Sequence, residues 1–192
     1  MKFFKDKLYK DITIPAPPKD DMVEAKEVKR LIANRTAEQE KSIADHDEVP
    51  FYAIKKYCDD NKMMFHKDEF KDIIYGATDT INYFKDKFDR KRPIEVDKTL
   101  DTSPSKTNKT PSYPSGHAAQ SRIVAKYVAG KFPEHEANLI EAGNECGYGR
   151  VLAGFHYPSD YEAGNLLGEK MYKLMNKENY IKEMKTFKTF VE

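Results

Sequence analysis

The chain has 192 residues, and its 33 Lys+Arg against 32 Asp+Glu give a formal charge of only +1. That length suits one compact domain able to bury a core without disulfides or a metal, and the balanced charge excludes a general polyanion binder, because no net positive field gathers nucleic acid. No apolar run approaches the roughly 20 residues that span a bilayer, and the two cysteines, Cys58 and Cys146, leave the redox compartment open.

The N-terminal ten residues carry basic side chains but no apolar h-region, so they are not an intact signal peptide. A periplasmic or secreted location is expected if a leader has been removed, and a cytoplasmic one otherwise. Pro15, Pro17 and Pro18 forbid a helix there. Residues 1–19 therefore read as an extended arm laid on the surface, ahead of one domain over 20–192. Asp20 and Asp21 open a helical stretch rich in Glu, Lys, Ala and Arg that runs to about residue 44. Pro50 interrupts the pattern, and a short helix follows over 51–57.

The clearest helix covers 67–89. Phe70, Ile73, Ile74, Ala77, Ile81, Phe84 and Phe88 recur at the spacing of one buried face. Lys85 sits at the edge of that stripe, where a lysine either snorkels to water or points into a pocket beside the core. Pro93 is expected to end this helix just after Arg92. Residues 94–113 have no period and carry Pro, Ser, Thr, Asn and Asp, which makes them the longest loop. Further helices are expected over 116–131, 134–152 and 159–175, with a tail helix over 177–190. No alternating strand pattern occurs, so the fold class is all-α.

Three fragments combine into one chemical inventory: Lys85 with Arg92-Pro93, then Pro114-Ser115-Gly116-His117, then Arg150, His156 and Asp160. A phosphate carries charge on several oxygens and needs several donors fixed in advance. Arg92 and Arg150 each offer a two-pronged donor set, and Lys85 adds a point charge. Gly116 lets the backbone approach an anion at the start of a helix, where free N–H groups and the dipole converge. Ser115 adds a hydroxyl, or simply caps the helix. Asp160 lies four residues after His156 and can accept from its Nδ1–H, fixing the tautomer that leaves Nε2 free to attack. His117 is the second candidate histidine. His46, His66 and His135 lie in charged stretches and read as structural, and no cluster has good metal-ligand spacing.

These fragments, in this order and spacing, resemble the signature of the type 2 phosphatidic acid phosphatase (PAP2) superfamily, and most closely its bacterial class A non-specific acid phosphatases. The superfamily also includes membrane lipid phosphatases and vanadium haloperoxidases. The Pro-rich arm, the charged helix after it and the run Ala153-Gly154-Phe155-His156-Tyr157-Pro158-Ser159-Asp160 extend the resemblance over most of the chain. It implies a single-domain helical bundle. It also implies a metal-independent phosphomonoester hydrolase that needs no cofactor, with phosphotransfer to alcohols as a side activity. His156 would be the nucleophile, Asp160 its orienting partner and His117 the general acid. Lys85, Arg92, Ser115, Gly116 and Arg150 would hold the phosphoryl oxygens.

The expected partner is a small-molecule phosphomonoester, with no nucleic acid and no transmembrane segment, and association into a homo-oligomer is open. Alternatives are a phosphatase of lipid or isoprenoid phosphates without membrane helices, a vanadate-dependent haloperoxidase, or a silent phosphate-binding protein. The 94–113 loop, with Tyr113, and the Phe51-Tyr52 segment are expected in the pocket wall. One position departs from the family pattern. The third motif usually begins Ser-Arg and here reads Gly149-Arg150, which implies a missing hydroxyl contact, weaker phosphate binding or altered pH behaviour.

Overall fold

The structure, a computed structural model, describes residues 3–65 and 67–175. The chain is all-α over these residues. Its helices are α1 (Asp21–Ala33), α2 (Ala37–His46), α3 (Tyr52–Asp60), α4 (Lys67–Phe88), α5 (Pro93–Val96), α6 (Gly116–Lys131), α7 (Glu136–Leu152) and α8 (Pro158–Lys173), with 3₁₀ turns at Leu8–Asp11 and Pro133–His135. The tail helix expected over 177–190 lies outside the described residues. No described helix is long and apolar enough to cross a membrane.

The single helix expected from Asp20 to residue 44 is two helices. Asp20 caps α1 by accepting from the Met22 N–H at 3.0 Å. The Asn34 side chain then donates back to the Arg30 carbonyl at 2.7 Å and closes that helix. Thr36 and Gln39 start α2 with a reciprocal capping box, at 3.2 and 2.9 Å. The Thr-x-x-Gln signal was present in the sequence and outweighs the continuous Glu/Lys/Ala composition. Pro93 also behaves differently from expectation. α4 has already stopped at Phe88, followed by Asp89 at a φ of 43°, and Pro93 opens α5 at a first-turn position.

The N-terminal arm is only partly a surface feature. Residues 15–18 are largely exposed, but Phe3, Phe4, Leu8, Ile12 and Ile14 are buried in the same core as Phe70, Ile73 and Phe84 of α4. Prolines exclude a helix there, but they do not keep the apolar residues ahead of them out of the core. Ile12 and Ile14 alternate with exposed Thr13 and Pro15, as an extended segment buries one side.

α6 is the central helix and packs chiefly against α7 and α8. Its residues are buried on nearly every side, including Ala118, Ala119, Ser121, Ile123, Val124, Ala125, Tyr127 and Val128, which is why it has little amphipathic pattern. α8 approaches it closely through glycines. A Cβ on Gly164 would fall 2.5 Å from the Ser115 carbonyl oxygen, and one on Gly168 would fall 2.7 Å from that of Ala119. We expect Gly164→Ala to destabilise the fold by about 1–3 kcal/mol through overpacking, read by chemical denaturation. Because the clash is with Ser115 at the head of α6, oxyanion binding at that end should weaken in the same variant.

Candidate active site

The three sequence fragments meet around a pocket of about 260 Å³ whose lining includes Lys85, Arg92, Gly116, His117, Arg150 and His156. Each comes from a different structural position. Lys85 is in the last turn of α4, and Arg92 immediately precedes α5. Gly116 and His117 form the first turn of α6, Arg150 the last turn of α7, and His156 the connection into α8. Asp160 lies in the first turn of α8, fully buried beneath His156.

Lys85 and Arg92 are anchored by backbone carbonyls, and Arg150 by side chains. Lys85 Nζ donates to the carbonyl of Pro111 at 2.5 Å and reaches that of Ser112 at 3.5 Å. Arg92 donates through Nε to the Thr110 carbonyl and through Nη1 to the Phe155 carbonyl, both at 2.8 Å. Arg150 donates through Nη1 to Asp47 Oδ1 at 2.7 Å and through Nη2 to Thr107 Oγ1 at 3.0 Å. Its Nε is buried with no hydrogen-bond partner among the described residues. A buried donor left over on a pocket-lining arginine suits an oxyanion ligand.

Asp160 organises the His156 side of the pocket. Its Oδ2 accepts from Ser112 Oγ at 2.5 Å, from the Tyr157 N–H at 3.0 Å and from His156 Nδ1 at 3.1 Å. Its Oδ1 accepts from Arg90 Nη1 at 2.7 Å. The His156 Nδ1 therefore carries a proton and its Nε2 keeps the lone pair. On the opposite wall, His117 Nε2 donates to the Asp47 carbonyl at 2.9 Å, which leaves Nδ1 as the nitrogen without that restraint.

Mutual repulsion among these cations is visible in their titration. Burial, then Arg92, pulls Lys85 down to about 7. Burial, then Arg150, pulls Arg92 down to about 10. Burial, then Arg150, lowers His117 to about 3, and burial with Arg92 and Lys85 holds His156 well below its ordinary value. Each shift disfavours positive charge in the pocket, and a bound dianion reverses that sign.

Ser115 does not open onto the pocket as a hydroxyl donor. It is fully buried and caps α6, accepting weakly from the Ala118 N–H at 3.4 Å, while its own N–H donates to the Asp160 carbonyl at 2.9 Å. Tyr113 is buried as well, and its hydroxyl donates to the Pro15 carbonyl at 2.7 Å. Phe51 packs edge-on against Phe70. Phe51 and Tyr113 therefore belong to the core and Tyr52 is exposed away from the pocket lining, whereas Thr107 and Thr110 of the expected 94–113 loop do line the pocket, together with Pro50, Ile74, Thr78, Ile81, Asn82 and Gln120. Gly149 is a further correction. It faces a separate cleft with Ser42 and Tyr148, and a Cβ there would sit 3.7 Å from Ile43 Cγ1. The missing hydroxyl is not a gap in the phosphate pocket.

His46 is structural: Nδ1 donates to the Ser42 carbonyl at 2.8 Å and Nε2 accepts from the Ala53 N–H at 3.1 Å. His135 Nδ1 pairs with the Tyr57 hydroxyl, and His66 lies outside the described residues. Cys58 and Cys146 are free and buried.

Three site residues lie outside the motif fragments: Arg90, Ser112 and Asp47. Arg90 is buried, joins Asp160 to Asp21 and Glu24 of α1 at 2.9 and 2.7 Å, and lies 4.0 Å over the Tyr157 ring. Its signal was a second arginine two residues before Arg92. Ser112 stood beside the second motif. Asp47, from the α2–α3 connection, had no local signal at all.

Two outcomes follow from this geometry. Sulfate stays dianionic between pH 7 and 9, while Lys85 loses its proton above about 7 in the empty pocket. Lys85 is charged below that pH and must take up a proton to help bind above it. Sulfate affinity should therefore fall as pH rises through 7 to 9, by up to about tenfold per unit, and Lys85→Arg should flatten this fall when both are titrated calorimetrically. Gly149→Ser should leave sulfate affinity within about twofold of the unmodified chain, consistent with its contacts lying outside the pocket.

A family model described as the PAP2 superfamily matches residues 73–177, a span that contains every residue of the three fragments. An acid phosphatase of Zymomonas mobilis subsp. mobilis is 35% identical over 92 residues, covering 46% of this chain and 35% of that protein. A non-specific acid phosphatase of Salmonella typhi is 42% identical over 57 residues, covering 30% and 23%. The matched segments thus span about a third or less of these relatives. In three dimensions the chain is similar to a transmembrane PAP2 type phosphatidylglycerolphosphate phosphatase from Bacillus subtilis, with a TM-score of 0.54 at 15% identity over 89% of this chain and 87% of that one. That likeness concerns the fold. With more than half of its length, including the whole three-part motif, inside the family match, the chain belongs to the PAP2 superfamily.

Proposed function

We propose that this protein is a phosphomonoester hydrolase of the acid phosphatase type, working through a phosphohistidine on His156. The observation that carries this reading is the buried His156–Asp160 pair at the wall of a pocket shared with Lys85, Arg92, Arg150 and His117. The three cations and the head of α6 hold the phosphoryl oxygens. The Nε2 of His156 attacks phosphorus, and the bond to the leaving alcohol breaks as His117 supplies its proton. Asp160 stabilises the positive charge that develops on the imidazole. Water then attacks the phosphohistidine, His117 takes the water proton, and inorganic phosphate leaves. An added alcohol in place of water gives phosphotransfer.

The two histidines need opposite proton states. His156 is held neutral by burial and by the surrounding cations, which keeps the nucleophile active in acid. His117 is deprotonated in the empty pocket, and a bound phosphate dianion restores its proton. The pocket of about 260 Å³ accommodates a phosphoryl group and a small part of its alcohol, so the bulk of a larger substrate would remain outside.

The test is hydrolysis of an aryl phosphate with excess chelator. The unmodified chain should be active, and His156→Ala should lose on the order of 10⁴-fold or more in kcat. With methanol present, methyl phosphate should form alongside inorganic phosphate. Activity lost to the chelator, or retained in His156→Ala, overturns the mechanism.

A further inference from the structure

We infer that Asp47 is a positioning residue for this reaction, setting both Arg150 and His117 in register through its carboxylate and its backbone carbonyl. The inference rests on the phosphohydrolase reading above. It concerns a residue outside the segment that matches the family, which begins at residue 73.

Asp47 follows the last residue of α2 and lines the pocket together with Glu48 and Pro50. Its Oδ1 accepts from Arg150 Nη1 at 2.7 Å, Ser105 Oγ at 2.6 Å and Thr107 Oγ1 at 3.0 Å. Its Oδ2 accepts from the Lys106 N–H at 2.8 Å. Its carbonyl accepts from His117 Nε2 at 2.9 Å and lies 3.2 Å from Thr107 Oγ1. One residue thereby joins the arginine of the third fragment, the histidine of the second and the loop between the first two.

This arrangement is more than a surface ion pair. The Arg150 side chain is 1% exposed and that of Asp47 12%. A guanidinium so enclosed requires a counter-charge and fixed acceptors when no ligand is present. Asp47 supplies them on one edge and leaves Nε of Arg150 without a partner among the described residues. Burial alone would raise the Asp47 carboxyl, but Ser105, the Lys106 N–H and Arg150 hold it well below the usual carboxylate range. It is therefore a carboxylate throughout the working pH range. The backbone carbonyl of Asp47 separately holds the His117 Nε2–H and leaves Nδ1 for proton exchange. The ionisable groups around His117 in the pocket are Asp47 and Glu48, Lys85 of α4, Arg92 before α5, Arg150 of α7 and His156 before α8. Among them Asp47 favours the protonated His117, while Arg150 and Lys85 oppose it.

The experiment compares Asp47→Asn, Asp47→Glu and Thr107→Val with the unmodified chain and with His156→Ala. It measures kcat, KM, inorganic phosphate inhibition and the pH profile, with thermal melts reporting the folded fraction. Asp47→Asn keeps the carbonyl and the shape but removes the charge. Its kcat should fall about 10–100-fold, as for other residues that orient a reacting group, with KM and phosphate inhibition changed less than about threefold. The basic limb of its pH profile should move to lower pH, because His117 loses the carboxylate that favours its proton. Asp47→Glu keeps the charge and should lose kcat without that move. Thr107→Val, which removes one shared hydroxyl, should lose a few-fold in kcat with an unmoved profile, and with Asp47→Glu it carries the test if Asp47→Asn does not fold.

An Asp47→Asn enzyme within about twofold of unmodified kcat, with an unmoved basic limb, overturns the inference. So does tighter phosphate inhibition in that variant, which would make Asp47 a competitor for Arg150. If Asp47→Asn does not fold, unchanged kcat in both remaining variants overturns it. Retained activity in His156→Ala would remove the phosphohistidine reading separately, while the Asp47 variants still report on Arg150 and His117 through their kcat and pH profile.

Discussion

The site depends on one fully buried carboxylate. Asp160 receives the Arg90 guanidinium, the Ser112 hydroxyl, the Tyr157 N–H and the His156 imidazole. Its carbonyl also receives the Ser115 N–H, which ties the head of α8 to the head of α6. An isolated buried carboxylate would neutralise itself by taking up a proton. In Asp160 each oxygen has its donors. Arg90 in turn is shared with Asp21 and Glu24, and Glu24 accepts from the Ser159 N–H at 2.9 Å. The first turn of α1 is thereby attached to the first turn of α8, so the His156–Asp160 pair is oriented by segments more than a hundred residues apart in the chain.

The rest of the pocket follows an electrostatic rule. Lys85, Arg92 and Arg150 are each nearly buried and each held by acceptors of the chain itself. These acceptors fix orientation, but they do not cancel the burial and, after it, the repulsion that pull Lys85 to about 7 and Arg92 to about 10. The empty pocket is therefore a preorganised field for an anion, which costs little rearrangement when charge arrives. Small residues make this closeness feasible. Gly164 and Gly168 let α8 lie against the backbone of α6, so the residues of the two helix heads converge.

Much was legible in advance. The helical class, the stripe of α4 and the starts of α6 and α8 followed from period, Pro and Gly positions, because those signals act over one or two turns. The convergence of the three fragments rested on their order and spacing and on the family resemblance. Legibility failed in two ways. The Ile12 and Ile14 arm was placed on the surface because proline specifies backbone conformation and says nothing of which partner covers a neighbouring side chain. Motif position points Gly149 toward the same pocket as Arg150, yet adjacent residues of a helix point about 100° apart. Arg150 faces the pocket, and Gly149 faces another cleft.

By itself, the sequence determined the helices, the chemical inventory and the pairing of His156 with Asp160, since four residues across a helix start is a local distance. Only the tertiary structure decided what restrains that inventory. Arg90 is bound by carboxylates as far apart in the chain as Glu24 and Asp160, and Asp47 reaches Arg150, Lys106 and His117 across separate elements. The physical reason is that buried charges are held by whatever the fold brings within about 3 Å, and no periodicity or motif encodes a contact between residues seventy or a hundred positions apart.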